Sequence, residues 1–264
     1  MFKKKKIIFI DIDWTIYSHK DGHIFDLASL EALERAKKHG YLIIICTARP
    51  YHSVKQTGLL EIFKPDGMIL SNGGYMLYHD KIIYEVRFDN NRYEEIVKTV
   101  LKHNLTMEVV EPFDRFLISP KTIDVDKTFE TYFEDMPLVK NYQSAHVVAL
   151  LLFAEEKYDE ILQKEFPKNT LYFRFHPNAV DVLDKPHDKG TAIKFALDYF
   201  KIKKEDAYAF GDDIGDISMF NEVGTSIALG NAKEEVKEVA NYITSEVWNE
   251  GVKNALIELK IIKK

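Results

Sequence analysis

With one cysteine in 264 residues, no intrachain disulfide can form. Cys46 stands inside the apolar run "YLIIIC", where a thiol packs rather than reacts, and a reducing compartment suits it. Long apolar runs are missing as well: none approaches the ~20 residues of a membrane span, so no membrane partner is expected. The first residues hold no apolar segment followed by a small-residue cleavage site, and the expectation is a cytoplasmic protein. A basic surplus is also lacking. The 36 Lys and Arg against 42 Asp and Glu leave a net charge of −6, which excludes nucleic acid as a default partner. The basic run Lys3 to Lys6 leads straight into a strand and reads as its solvated flank. No internal repeat or low-complexity segment is present, and no histidines show metal-ligand spacing.

What is there is apolar and periodic. Hydrophobic residues make up 46% of the chain, enough to core one large domain or two modest ones. Residues 6–10 predict a strand. "DLASLEALERAKKH" (26–39) places apolar residues 27, 30, 33 and 36 on one helical face, with Gly40 as its stop. Residues 41–46 predict a second strand, 51–61 a helix behind Pro50, and "GMIL" (67–70) a third strand. This alternation of buried strands and helices argues a parallel sheet covered by helices. "YMLYHDKIIYEV" then predicts a hairpin turning near Asp80. Strands over 106–110, 115–119, 145–153, 171–175 and 179–183, and helices near 92–103, 125–133 and 155–165, have antiparallel character. The first style returns with a helix over 189–200, a strand over 207–210, a helix over 213–221, a strand over 225–229, and helices over 233–240 and 248–260. The expected fold class is α/β: a Rossmann-like parallel-sheet core, 1–80 plus 184–264, with an inserted α+β cap domain, 81–183.

The chemistry gathers at predicted strand ends, where ligands sit in open parallel sheets. Asp11 and Asp13 follow the first strand in "KIIFIDIDWT", Thr47 the second in "IIICTARP", and Asn72 the third in "SNGG". Asp212, Asp213 and Asp216 follow a fourth in "FGDDIGD", and Lys189 opens a helix in "DKGTAI". Singly, each is an ordinary turn, cap or solvated residue. Converging carboxylates, however, repel one another unless a cation lies between them. Hard oxygen ligands in that number suit Mg²⁺, which shares its remaining positions with phosphate. A Thr hydroxyl at a helix start, a Lys and a Gly-rich turn are anion donors. Asp11 could then serve as nucleophile and Asp13 as proton donor to a leaving oxygen. Lys189 would stabilise transition-state charge and keep Asp11 ionised.

This constellation resembles the four motifs of the haloacid dehalogenase superfamily of phosphohydrolases: "DIDWT", Thr47, Lys189 and "GDDIGD", in that order. "SNGG", "KGTAIKFAL" and "IALGNAKEEVKEVANYIT" resemble its Cof-type branch, whose cap is inserted between the second and third motifs. The resemblance covers the core well and the cap only by position and size. It implies that Asp11 becomes an aspartyl phosphate and that Asp13 acts as acid, then as base. It implies phosphate contacts from Thr47, the Ala48 backbone and Lys189, with Asn72 nearby. It further implies Mg²⁺ held by Asp11, the Asp13 carbonyl and Asp212, with Asp216 close by or acting through water, and Asp213 as a helix-start residue. The expected substrate is a small phosphorylated metabolite: sugar phosphates are usual in the family, and pyridoxal phosphate or flavin mononucleotide occur. The expected assembly is a monomer or homodimer.

Three positions depart from that pattern. Trp14 stands where Gly is common, which implies an ordinary φ there and a ring packed on the hairpin "YSHKDGHIF" or narrowing the entrance. Ala48 replaces a Gly but keeps its N–H. Gly215 replaces an Asn and removes a side-chain amide. Arg49 is expected to touch phosphate or hold its loop, and Asn231 to order the fourth-motif loop. Arg115, His146, Arg174 and His176 are candidates for reading a leaving group. Three rival functions stand beside the phosphatase: a phosphomutase of the same superfamily, a phospho-switch of the receiver type, and a catalytically weakened phospho-metabolite binding protein.

Overall fold

The structure, a computed structural model, describes residues 6–20, 22, 24–132, 135–143, 146–184 and 186–264. The chain divides into two compact units. One comprises Met1–Ala48, Gly58–Tyr84 and His187–Lys264, the other Arg49–Thr57 and Glu85–Pro186.

The first unit begins with β1 (Lys6–Ile10), whose residues Ile7 to Ile10 are fully buried. A short hairpin follows, β2 (Tyr17–Ser18) and β3 (Ile24–Phe25), and then α1 (Leu27–Lys38). Asp26 caps α1 by accepting from the Ser29 N–H at 3.1 Å, and Gly40 beyond its end takes φ 91°. After β4 (Tyr41–Cys46), the segment Arg49–Thr57 with α2 (Tyr51–Gln56) belongs to the second unit, and α3 (Leu59–Ile62) returns to the first. The single helix expected over 51–61 is therefore two, because Gly58 at φ 80° breaks it. β5 (Gly67–Leu70), β6 (Tyr75–Tyr78) and β7 (Lys81–Glu85) come next, the last two joined through His79 and Asp80, both at positive φ.

The second unit carries α4 (Asn90–Lys102), β8 (Thr106–Glu111), β9 (Asp114–Leu117), α5 (Ile123–Tyr132), β10 (Ala149–Phe153), α6 (Asp159–Glu165), β11 (Leu171–His176) and β12 (Ala179–Leu183). The strand expected from 145 begins at Ala149, and residue 145 lies outside the described residues. The sheet runs β11-β12-β10-β8-β9 and is antiparallel throughout. Alternation along the strands decides what covers it. Met107, Val109, Leu150, Leu152, Val180 and Val182 pack with Ile96, Val97 and Val100 of α4 and Leu162 of α6. Phe153, Ala179 and Leu117 pack with Val125 and Phe129 of α5.

The first unit resumes with α7 (Lys189–Phe200), β13 (Ala207–Gly211), α8 (Ile217–Glu222), β14 (Thr225–Ala228), α9 (Glu234–Val239), β15 (Tyr242–Ile243) and α10 (Gly251–Glu258). The expected helix over 213–221 is a 3₁₀ turn, Ile214–Asp216, followed by α8. Its sheet is ordered β15-β14-β13-β1-β4-β5-β6-β7 and is parallel from β15 to β5. One face packs Ile7, Phe9, Ile44, Cys46 and Ile69 against Ala192, Ile193 and Ala196 of α7 and Met219 and Phe220 of α8. Cys46 is thus a core residue, and burial pushes its thiol up, far from reactivity. Register aligns the strand ends: Ile10 lies opposite both Ile45 and Phe210, and Cys46 opposite Ile69. Asp11, Thr47, Ser71 and Asp212 therefore emerge along one edge of the sheet.

Candidate active site

Asp11 leaves β1 with its N–H donating to the Phe210 carbonyl at 3.1 Å, which sets it beside the end of β13. It is 6% exposed. Lys189 is the first residue of α7, a helix capped by Asp188, which accepts from the Thr191 N–H at 2.7 Å. The Lys189 ammonium donates to Asp11 Oδ1 at 2.7 Å and to Asp216 Oδ1 at 2.6 Å. The other oxygen of Asp216 accepts from the backbone N–H groups of Asp212 and Asp213, at 2.9 and 3.1 Å. Gly211 is required for this: a Cβ there would fall 2.5 Å from the Asp216 carboxylate. Asp212 accepts from the Thr15 hydroxyl at 2.9 Å. Asp11, Asp212 and Asp216 each offer an oxygen within 4.8 Å of the others, and all three are buried.

Lys189 faces a cluster of buried carboxylates here, and the balance shows in the protonation of Asp11 and Asp212. Burial pushes the Asp11 carboxyl up to about 7 against the pull of Lys189, with Asp216 and Asp13 adding to the rise. Burial and the charges of Asp11 and Asp216 push Asp212 up to about 9. Lys189, although burial pulls it down, is held well above its ordinary range by the two carboxylates. Lys189 pulls Asp11 toward the ionised form, as expected, but desolvation exceeds its effect in the metal-free site. A hard divalent cation fits this set: the donors are oxygens, mutually close and short of positive charge. The consequence for stability has a definite sign. The folded, metal-free chain holds protons on Asp11 and Asp212 that the unfolded chain releases near pH 4, so stability falls as pH rises toward about 9. Melting temperature in chelator is expected to drop between pH 5 and pH 9. Mg²⁺ should raise it most at the alkaline end, where protons no longer compete for the oxygens. Equal Mg²⁺ effects at both pH values would contradict this.

Thr47 is 1% exposed, and its N–H donates to the Ile69 carbonyl at 3.0 Å. Its own carbonyl accepts from the Asn72 N–H at 3.1 Å, which fastens the "SNGG" turn to the end of β4. Asn72 itself is left-handed, at φ 54° and ψ 35°. Gly73 follows at φ 90°, and a Cβ there would lie 2.1 Å from the Asp188 carbonyl, so the turn packs directly on the start of α7. Ala48 is exposed at the foot of α2.

Several expectations need correction. Trp14 does not take an ordinary φ: it is left-handed at 59°, in the conformation that favours glycine. Its ring lies 5.3 Å from the His19 ring of the following hairpin segment, and it is 37% exposed. Asn231 ties the first-motif loop rather than the fourth. Its amide donates to the Trp14 carbonyl at 2.8 Å and its oxygen accepts from the Val247 N–H at 2.8 Å. Asp213 does start the 3₁₀ turn Ile214–Asp216, capping the Ile214 N–H. A Cβ on Gly215 would meet nothing within 4 Å. Arg49 donates to Ser53 Oγ at 2.8 Å. The four candidates in the second unit all have partners of their own: Arg115 with Glu108, His146 with Glu85, Arg174 with Asp159, and His176 with the Asn178 N–H.

Sequence reasoning missed Thr15 and His19. Thr15 could have been found from its place four residues after Asp11, on the tight turn where Thr15, Ile16 and Tyr17 all donate to the Ile12 carbonyl. His19 reaches Asp13 Oδ1 at 2.7 Å. Only the hairpin brings it back, and a six-residue spacing carries no signal of its own.

Comparison with known proteins finds relatives that span almost the whole chain. The family described as haloacid dehalogenase-like hydrolase matches residues 8–256. YkrA of Bacillus subtilis strain 168 is 28% identical over 263 residues, 98% of this chain and 99% of that one. The 5-amino-6-(5-phospho-D-ribitylamino)uracil phosphatase YwtE of the same strain is 26% identical over 280 residues, 94% of this chain and 95% of that one. The solved structure of BT4131, a sugar phosphatase of haloacid dehalogenase subclass IIB, superposes with a TM-score of 0.78 at 26% identity, covering 97% of this chain and all of that one.

Proposed function

The chain belongs to the haloacid dehalogenase-like hydrolases, and we propose that it is a Mg²⁺-dependent phosphatase of small phosphorylated metabolites, sugar phosphates foremost. The observation that carries this reading is Lys189 bridging Asp11 and Asp216 beside Asp212, all buried at the ends of β1 and β13. Phosphatases of this superfamily generally use a divalent metal. The carboxylates of Asp11 and Asp212, with the Asp13 carbonyl, would hold Mg²⁺, which when bound neutralises phosphoryl charge. Asp216 has both oxygens engaged, by Lys189 and by two backbone N–H groups, so its part is to shape the loop or act through water.

In this reading the Asp11 carboxylate attacks phosphorus and the bond to the leaving oxygen breaks. Asp13 gives that oxygen its proton. An aspartyl phosphate results on Asp11. Asp13, now a carboxylate, takes a proton from water as the water attacks the same phosphorus, and inorganic phosphate leaves. The Thr47 hydroxyl, the Ala48 N–H and the Asn72 side chain hold the phosphoryl oxygens, and Lys189 balances the charge that develops on them.

The test is phosphate release from a panel of sugar and other metabolite phosphates, with Mg²⁺ and with chelator, and with no bisphosphate activator added. Turnover that depends on Mg²⁺ is expected. Activity undiminished by chelator would refute the metal assignment, and activity only with a bisphosphate would favour a mutase.

A further inference from the structure

We propose that His19 is a positioning residue for Asp13, and that Trp14 and Tyr17 are shaped to hold it there. The inference deepens the phosphatase reading and rests on Asp13 acting as its acid and base. Of the two proposed catalytic carboxylates, Asp11 is buried and Asp13 is partly open, with 31% of its side chain exposed. A free carboxylate at such a site samples several rotamers, and a misplacement of about 1 Å can cost on the order of 10²-fold in rate.

The chain after Asp13 is built to prevent that. The Trp14 N–H donates to the Tyr17 carbonyl at 2.7 Å, and a bridge pairs Asp13 with Tyr17, so the strand β2 returns beside the acid. His19 follows β2 directly. Its Nε2 lies 2.7 Å from Asp13 Oδ1. Its ring is flanked by Tyr17 edge-on at 4.9 Å and by Trp14 at 5.3 Å. The loop is fastened on its far side as well, by Asn231 at the Trp14 carbonyl and by Lys20 over the Trp248 ring at 4.1 Å.

This arrangement serves orientation rather than stability. A partly exposed contact between His and a carboxylate contributes little to folding. The left-handed backbone at Trp14 carries a strain that Gly would avoid. The bulky residue thus works against local stability, and what its ring provides is a wall for His19.

The test compares an alkyl phosphate with p-nitrophenyl phosphate in the Mg²⁺-supplied enzyme. The ratio kcat/KM reports steps up to departure of the leaving group. An alkoxide needs a proton from Asp13 to leave, whereas nitrophenolate does not. His19→Ala is expected to lower kcat/KM for the alkyl ester about 30- to 100-fold and that for the nitrophenyl ester by less than about threefold. His19→Gln, whose amide can reach the same oxygen, should restore most of the alkyl activity. The nitrophenyl activity also reports that each variant is folded. Asp13→Asn is the control, and it should show the same selectivity at larger size. Equal losses on both esters, no loss on either, or a Gln variant as impaired as the Ala variant would overturn the positioning role. If Asp13→Asn shows no selectivity, the acid role of Asp13 fails instead, and the inference fails with it.

Discussion

Asp11→Asn is expected to lose turnover by on the order of 10⁴-fold or more while the folded chain becomes no less stable. The two halves come from one fact. Asp11 is a buried carboxylate beside two others, pushed up to about 7 by its surroundings, so its charge opposes folding above that pH. An amide of the same shape removes the repulsion and still offers Oδ1 to the Lys189 ammonium, which now donates at 2.7 Å. It cannot attack phosphorus, and Asp216 does not replace it, being tied down by Lys189 and two N–H groups. Melting temperature in chelator, measured beside activity, separates these effects. A variant inactive only because it is unfolded would show a lowered melting temperature and would leave the nucleophile unassigned.

Lys189→Met, by contrast, should damage both properties. Methionine fills the volume but leaves Asp11 and Asp216 facing each other without a cation. Removing one partner of a buried ion pair costs about 3–5 kcal/mol, read as a shift in the urea midpoint in chelator. The loss should be smaller at pH 5, where the Asp11 carboxyl, pushed up to about 7, is protonated. Activity should fall by on the order of 10²–10³, as when one electrostatic donor to a transition state is lost. Mg²⁺ would recover part of the stability and little of the rate. An unchanged urea midpoint would mean that the contacts from Lys189 to the two carboxylates do not organise the site.

The alternating core was legible because each piece carried its own signal. Ile7 to Ile10 and Leu42 to Cys46 are runs too apolar for anything but a buried strand, and Asp26 and Gly40 mark both ends of α1. The site was legible for a different reason: acids and a Thr recur at strand ends and a Lys opens a helix, and register brings the strand ends together. What escaped lies in tertiary geometry. Gly58 reads as any helix-interior glycine until its φ of 80° splits the segment. Trp14 reads as ordinary backbone because nothing in "DIDWTIY" announces a turn that forces φ to 59°. Asn231 meets the Trp14 carbonyl across 217 positions, a contact that no local pattern encodes. Arg115, His146, Arg174 and His176 stand in the sequence only as candidates, because the carboxylates and N–H group that engage them are brought to them by folding.

The central claim is that a phosphoryl group passes through Asp11. The most direct measurement is to quench wild-type enzyme in acid during turnover of a phosphate ester, digest it and locate the phosphoryl group by peptide mass. Acyl phosphates survive such a quench. The account predicts one phosphoryl group on the peptide that carries Asp11, absent when Asp11 is Asn. Turnover with no phosphorylated peptide at any time, or with the group on another residue, would contradict it.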